Sequence, residues 1–249
     1  MKKRNILVIS DNEAILSFLL TLISEQPELH NGREFTYACA PWDEALVGKK
    51  IKGVTIKSID VKKDTQKILD SYDLVISAHC KQLFPDRLVR EMECVNIHPG
   101  FNPHNRGWYP QVFSILNKLP FGATIHLIDN KIDHGDVIDQ VAVEIAGWET
   151  SLDAYNRVLL AEQKLLRRRL GDILDGAYTT TMPSGEGNVN LRKDFDDLCH
   201  IDLDEKVSFG QVIDRLRALT HGSFKNAYFI DKETGKKVYI SVDMEVGYE

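Results

Sequence analysis

Short apolar runs alternate with helical segments from Asn5 to Ile97, and this alternation leaves the chain few ways to fold. Residues 5–10 hold a continuous Ile-Leu-Val-Ile run, the mark of a strand buried on both faces. The turn SDNE at 10–13 has capping-box spacing, with Ser10 as cap and Glu13 reaching back, so a helix is predicted over 13–24. Further strands are predicted at 34–39, 54–59, 72–78 and 94–97, with helices at 62–69 and 85–92. Strands separated by helices imply an α/β fold, a mostly parallel sheet with helices on both faces. Ligands bind such sheets at the carboxyl ends of the strands. Residues 77–81 and 96–98 both lie at such ends and are expected to meet across one crevice.

Beyond residue 98 the pattern changes. Residues 99–110 form a loop with three prolines and two glycines, followed by a helix at 111–117 and strands at 122–128 and 137–145. Residues 151–174 form a long amphipathic helix with Leu152, Tyr155, Val158, Leu165 and Leu170 near one face, ended by Gly176. The run Arg167, Arg168, Arg169 on it reads as a solvated face. Residues 177–200 are mixed and loop-like. A helix at 205–219 and strands at 226–230 and 238–242, joined through DKETGKK, complete the chain. The expected division is a catalytic α/β domain over 1–176 and a small C-terminal appendage of helix and β-hairpin over 177–249.

Several functions are disfavoured by what the sequence lacks. The 249 residues suffice for a sizeable core, but a net charge of −6 gives no basic field for nucleic acid. The apolar stretch at 6–9 is too short for a signal peptide, and 14–23 is too short and too interrupted to span a membrane, so a cytoplasmic protein is expected. Cysteines 39, 80, 94 and 199 show no Cys-x-x-Cys spacing and read as buried thiols. The first strand-to-helix turn has no glycine, which argues against a dinucleotide cofactor.

The chemistry concentrates in residues 94–136. Asn96 and His98 are two apart on a strand and therefore share a face. His98 is suited to act as a base near neutrality, and the Asn96 amide can donate to an oxygen that gains charge. Asp133 can orient His98 or stabilise its protonated form. Together they suit acyl transfer to an amine that attacks directly, without a Ser or Cys nucleophile. Arg106, Trp108 and Tyr109, in a rigid Pro/Gly loop, read as a binding wall. His126 reads as a core or crevice-wall residue and His134 as a turn residue. The histidines and aspartates here fit no compact ligand pattern, so no metal is expected.

Three elements carry a family resemblance: NIHPG at 96–100, PHNRG at 103–107, and DNKIDHGD at 129–136. In order and distance they resemble the folate-dependent formyltransferases. The resemblance implies a Rossmann-like sheet, 10-formyltetrahydrofolate as co-substrate, no metal, and an Asn96–His98–Asp133 trio that passes a formyl group to an amine. It places Arg106, Gly107 and the backbone of Asp136, Val137 and Ile138 near the folate. Lys81, Trp108, Tyr109, Arg192 and Lys193 are the expected acceptor contacts. The glycine-rich turn of the glycinamide ribonucleotide branch is missing, and the chain is short and acidic for the methionyl-tRNA branch. The segments at 77–85, 98–115 and 216–229 are similar to the sugar N-formyltransferases, closest to those acting on dTDP-4-amino-4,6-dideoxyglucose. The implied partners are a nucleotide-linked amino sugar, the folate and a second copy of the chain, with neither nucleic acid nor membrane. Two alternatives remain at this point: another amine acceptor such as a 3-amino sugar, and a folate- or nucleotide-binding sensor without turnover.

Overall fold

The structure, a computed structural model, describes residues 4–247. Strand β1 (Arg4–Ile9) leads into α1 (Glu13–Glu25), and β2 (Arg33–Cys39) follows. A small hairpin, β3 (Lys50–Ile51) and β4 (Val54–Thr55), precedes β5 (Lys57–Ser58) and α2 (Thr65–Ser71). Then come β6 (Leu74–Ala78), α3 (Asp86–Glu91), β7 (Cys94–His98), β8 (Arg106–Gly107) and α4 (Pro110–Asn117). Strands β9 (Gly122–Leu127) and β10 (Val137–Ala142) are followed by the long α5 (Ser151–Asp175). The chain closes with β11 (Val189–Asn190), α6 (Arg192–Cys199), α7 (Phe209–Leu219), β12 (Tyr228–Ile230) and β13 (Lys237–Tyr239).

Seven strands form one sheet in the order β10-β9-β7-β6-β1-β2-β5. The pairs from β5 through β7 are parallel, while β9 and β10 run antiparallel at one edge. The pleat of β1 explains the two helical layers. Ile6 and Val8 pack with Leu16 and Leu19 of α1 and with Val158, Leu165 and Ile173 of α5. Leu7 and Ile9 point the other way, into a cluster with Ile68 of α2 and Leu88 of α3. All four β1 residues are fully buried, so the continuous apolar run is the signature of a doubly covered strand. Truncating Ile6, Leu7 or Ile9 to alanine should cost about 2–5 kcal/mol.

Some local expectations are corrected. Asn12, not Ser10, caps α1: its Oδ1 accepts from the amides of Ala14 (3.0 Å) and Ile15 (3.2 Å). Ser10 is still held in the sheet, its N–H donating to Ala38 O at 2.9 Å. Residues 54–59 form two short strands, and only Lys57–Ser58 joins the sheet. Helix α2 starts at Thr65 and α7 at Phe209, where Ser208 and Gln211 form a capping box. Residues 177–200, read as loop, contain β11 and α6. Helix α6 has too few apolar residues for a clear period: in RKDFDDLC only Phe195 and Cys199 are buried.

The C-terminal segments are tied back to the sheet domain. Strand β11 pairs with β8, and Thr181 bridges Val137 at the start of β10. Phe195, Cys199, Ala218, Leu219 and Ala227 share a core with Val112 and Ile115 of α4. Buried Arg217 donates to Ala146 O (3.1 Å) and Glu149 O (2.7 Å). Among the described residues no helix is long and apolar enough to cross a membrane.

Candidate active site

The site is built on a row across the sheet. Register places Ser77 of β6 beside Asn96 of β7, and Asn96 beside His126 of β9. Side chains at such positions share a face. Ser77 Oγ donates to Asn96 Oδ1 at 2.8 Å, which turns the Asn96 amide nitrogen toward His126. His126 gives its Nδ1–H to Leu127 O at 2.7 Å, leaving an Nε2 lone pair that accepts from Asn96 Nδ2 at 3.2 Å. Asn96 Nδ2 also donates to Asp133 Oδ1 at 3.0 Å.

Asp133 arrives from the loop between β9 and β10 in a left-handed conformation, φ 44°. Its carbonyl accepts from Asn102 Nδ2 at 2.8 Å, and its Oδ2 accepts from the Gly107 amide at 3.1 Å. Gly107 has φ 89°, and a Cβ there would collide with the Asn190 carbonyl of β11. His98 stands at the end of β7, its Nδ1 3.5 Å from Asp133 Oδ2. Gly100 is packed under the His98 ring so closely that a Cβ would collide with the imidazole. His98 Nε2 is buried and has no protein partner, so it is the open valence of the cluster.

Burial pushes the His98 imidazole down to about 4, against the opposing pull of Asp133. Burial acts on Asp133 in the raising direction, but His98, His126 and the Gly107 amide outweigh it and hold the carboxyl well below the usual carboxylate range. At neutral pH His98 is therefore a neutral base facing an ionised carboxylate, and a proton arriving on His98 meets a compensating charge.

These groups line a cavity of about 1020 Å³ at the carboxyl ends of the parallel strands. Cys80 is in the wall, but burial pushes its thiol up to about 12, so it supplies no nucleophilic thiolate. The lining carries a base, an amide donor and a carboxylate. That set moves a proton and holds charge on oxygen while a ligand's own nucleophile attacks.

The predicted site residues divide. Asn96, His98, Asp133, Gly107, Lys81, Trp108, Tyr109 and Arg192 all line this cavity. The Arg192 guanidinium lies 5.6 Å from the Trp108 ring and 5.9 Å from the Tyr109 ring, while Phe195 packs on Tyr109 at 4.0 Å. Lys193 is exposed on α6 and is not part of the lining. Arg106 is buried and acts as scaffolding, donating to Ile132 O (3.2 Å) and Glu186 O (3.0 Å) behind Asp133. Asp136, Val137 and Ile138 lie outside the lining; the Val137 amide and carbonyl are both paired with Thr181 at 2.9 Å. Ser77 and His126 were not expected to hold Asn96, because their contribution depends on strand register. His79, Tyr155 and His221 also line the cavity, and buried Glu162 stands behind His79.

Comparison with known proteins gives a consistent picture. The family profile described as "Formyl transferase" matches residues 65–170, and "N-formyltransferase dimerization C-terminal domain" matches 194–246. The dTDP-4-amino-4,6-dideoxyglucose formyltransferase of Mycobacterium bovis is 48% identical over 186 residues, 75% of this chain and 79% of that protein. The crystal structure of a 4-N formyltransferase from Francisella tularensis superposes with TM-score 0.92 at 44% identity, covering 99% of this chain and 100% of that one. A sugar N-formyltransferase from a Shewanella species superposes with TM-score 0.91 at 40% identity, covering 98% and 99%.

Proposed function

Because this chain belongs to the sugar N-formyltransferase family of enzymes, we propose that it moves a formyl group from 10-formyltetrahydrofolate to the 4-amine of dTDP-4-amino-4,6-dideoxyglucose. The observation that carries the mechanism is the locked Asn96–His98–Asp133 cluster in the cavity wall, where burial keeps the neighbouring Cys80 thiol protonated. The choice of acceptor is supported by the 48% identical relative named for that sugar and by the 4-N specificity in the name of the Francisella enzyme.

In this reading the amine nitrogen attacks the formyl carbon, and the carbonyl electron pair moves onto oxygen. Asn96 Nδ2 turns one N–H from Asp133 or His126 toward that oxygen. His98 accepts the proton released by the nitrogen, and Asp133 stabilises the resulting imidazolium. The oxygen's electron pair then re-forms the carbonyl, the carbon–N10 bond breaks with its pair going to the folate nitrogen, N10 takes the proton held by His98, and the formamide leaves.

In this reading the folate packs against Leu83, Phe84, Ile128 and Ile132, apolar residues in the wall of the same cavity. Arg106 and Gly107 serve it by fixing the Asp133 loop. The backbone of residues 136–138 serves it only through the shape of β10, since the Val137 peptide is already paired. The nucleotide is placed at Trp108, Tyr109 and Arg192, with Lys81 toward the diphosphate and Lys193 as a more distant charge.

We also propose a homodimer through the C-terminal unit. Phe209, Val212 and Ile213 share one face of α7 by helical spacing and are 89%, 38% and 48% exposed. The profile matching this region is described as a dimerization domain.

The test is incubation of the pure protein with 10-formyltetrahydrofolate and a panel of nucleotide-linked 3-amino and 4-amino sugars, read by mass spectrometry. Gain of one formyl group on the dTDP-linked 4-amino sugar supports the reading to the acceptor. Formylation of a 3-amino sugar instead corrects the acceptor, and no formylation of any amine contradicts the reading.

A further inference from the structure

A second acid–base group lines the same cavity, just past the end of β6, the strand next to β7. Glu162, in the middle of α5, is completely buried, and both its oxygens lie 2.8 Å from His79 Nε2. A buried carboxylate is retained only against a compensating donor. His79 follows β6 in a left-handed conformation, φ 58°, which is uncommon for histidine and is maintained here by what surrounds it.

The tautomer of this pair is set by a helix cap. Asn12 uses Oδ1 to cap α1, so its Nδ2 must be the end that faces the cavity. That Nδ2 donates to the Tyr155 hydroxyl at 2.5 Å and approaches His79 Nδ1 at 3.3 Å. The Tyr155 hydroxyl lies 3.5 Å from the same His79 Nδ1. His79 Nδ1 therefore carries the lone pair, and Nε2–H is held by Glu162. A carboxylate behind an imidazole whose other nitrogen carries a lone pair is a general-base arrangement, and an acceptor ammonium would take the place of the two long contacts from Asn12 and Tyr155 at Nδ1.

The formyl transfer leaves a task for such a base. An alkyl amine is an ammonium ion at neutral pH and cannot attack until it loses a proton. His98 stands at the transfer site and is needed for the second proton, the one released after attack. We propose that His79, backed by Glu162 and edged by Asn12 and Tyr155, is the group that deprotonates the acceptor's ammonium before transfer. The inference rests on the sugar N-formyl transfer proposed above. In the step, one N–H bond of the ammonium breaks and its electron pair stays on the amine nitrogen. The proton bonds to His79 Nδ1, and the resulting imidazolium is balanced by the Glu162 carboxylate before it releases the proton to water.

The low value at His98, about 4, is consistent with this division, since so weak a base is poorly matched to an ammonium ion. The other titratable groups facing His79 are Asp11 after β1, Cys80 and Lys81 on its own loop, and His98 at the end of β7. Tyr155 and Glu162 of α5 and His221 after α7 complete the set. Burial pushes Tyr155 up to about 12, so it serves as a neutral O–H.

The experiment compares wild type with His79→Gln on two acceptors between about pH 6 and about pH 10. One is the nucleotide-linked amino sugar, the other its alkoxyamine analogue, whose nitrogen is unprotonated at neutral pH. The expected result is a ~100-fold loss of kcat/KM for the amine near pH 7. That loss shrinks as pH rises, and the alkoxyamine loses less than ~3-fold. Equal losses on both acceptors at every pH, or no loss on the amine, overturn the inference. If His79→Gln does not give a cooperative melt, Glu162→Gln is read by the same criteria. Wild-type protein that formylates neither acceptor overturns the parent reading and this inference with it; wild-type turnover with equal losses overturns this inference alone.

Discussion

The Asn96 amide is held in one orientation, as its proposed role requires. Ser77 holds the oxygen end at 2.8 Å, and Asp133 and His126 receive the nitrogen end. Ser77→Ala removes the hydroxyl that donates to the oxygen end, so kcat should fall ~10-fold while acceptor KM changes little; steady-state kinetics check this. At Gly100, an alanine Cβ would meet the His98 ring, so Gly100→Ala should fold yet lose on the order of 100-fold in kcat/KM. The depressed His98 value also links pH to stability. The unfolded chain protonates His98 in the ordinary histidine range, while the folded protein resists until about 4. Stability from this site is complete above that ordinary range and is lost as pH falls toward about 4, by up to about 3 kcal/mol. Asp133 acts in a lower window: its depressed value contributes stability that is lost only as pH falls below the ordinary carboxylate range. Denaturant midpoints from pH 7 to pH 4.5 should therefore fall more steeply for wild type than for His98→Gln. Asn96 and His98 were legible as a pair because they lie two apart on a strand, and Asp133 was added by the resemblance of NIHPG and DNKIDHGD to the formyltransferases, since spacing alone is a weak signal. Ser77 and His126 were not, because the row they make with Asn96 exists only once β6, β7 and β9 are in register.

Among the elements, α6 and α7 make the Trp108–Tyr109 side of the cavity, the proposed acceptor side, dependent on the C-terminal unit. Phe195 of α6 supports Tyr109, and Arg192 one turn earlier reaches the Trp108–Tyr109 pair. Phe195→Ala should therefore destabilise the protein by about 3–5 kcal/mol and raise the acceptor KM, with little change in folate affinity; thermal melts and calorimetric titrations check the pair of effects. The α/β alternation and α5 were readable from apolar runs, capping residues and Gly176, and the structure has them within a few residues. Helix α6 was unreadable because its buried face is only Phe195 and Cys199, and its acidic exposed face looks like a loop. The N-cap of α1 moved from Ser10 to Asn12 because β1's ladder still claims Ser10. That small shift matters, since the capping Asn12 also turns its Nδ2 toward His79.

At the scale of the molecule, the sheet brings two histidine–carboxylate pairs, His98–Asp133 and His79–Glu162, to one cavity from different parts of the chain. The exposed apolar face of α7 is the surface a second copy would cover. Sedimentation should show a dimer, and Phe209→Glu with Ile213→Glu should shift it to monomer while the melt stays cooperative. The most direct test of the central reading is formyl transfer to dTDP-4-amino-4,6-dideoxyglucose by wild type and His98→Ala, with folate binding measured on both. Formylated sugar from wild type, none from His98→Ala, and folate affinity within ~3-fold between them is the expected result. Equal turnover by His98→Ala would contradict the role of the cluster, and folate binding by wild type without any transfer would make the protein a sensor rather than a transferase.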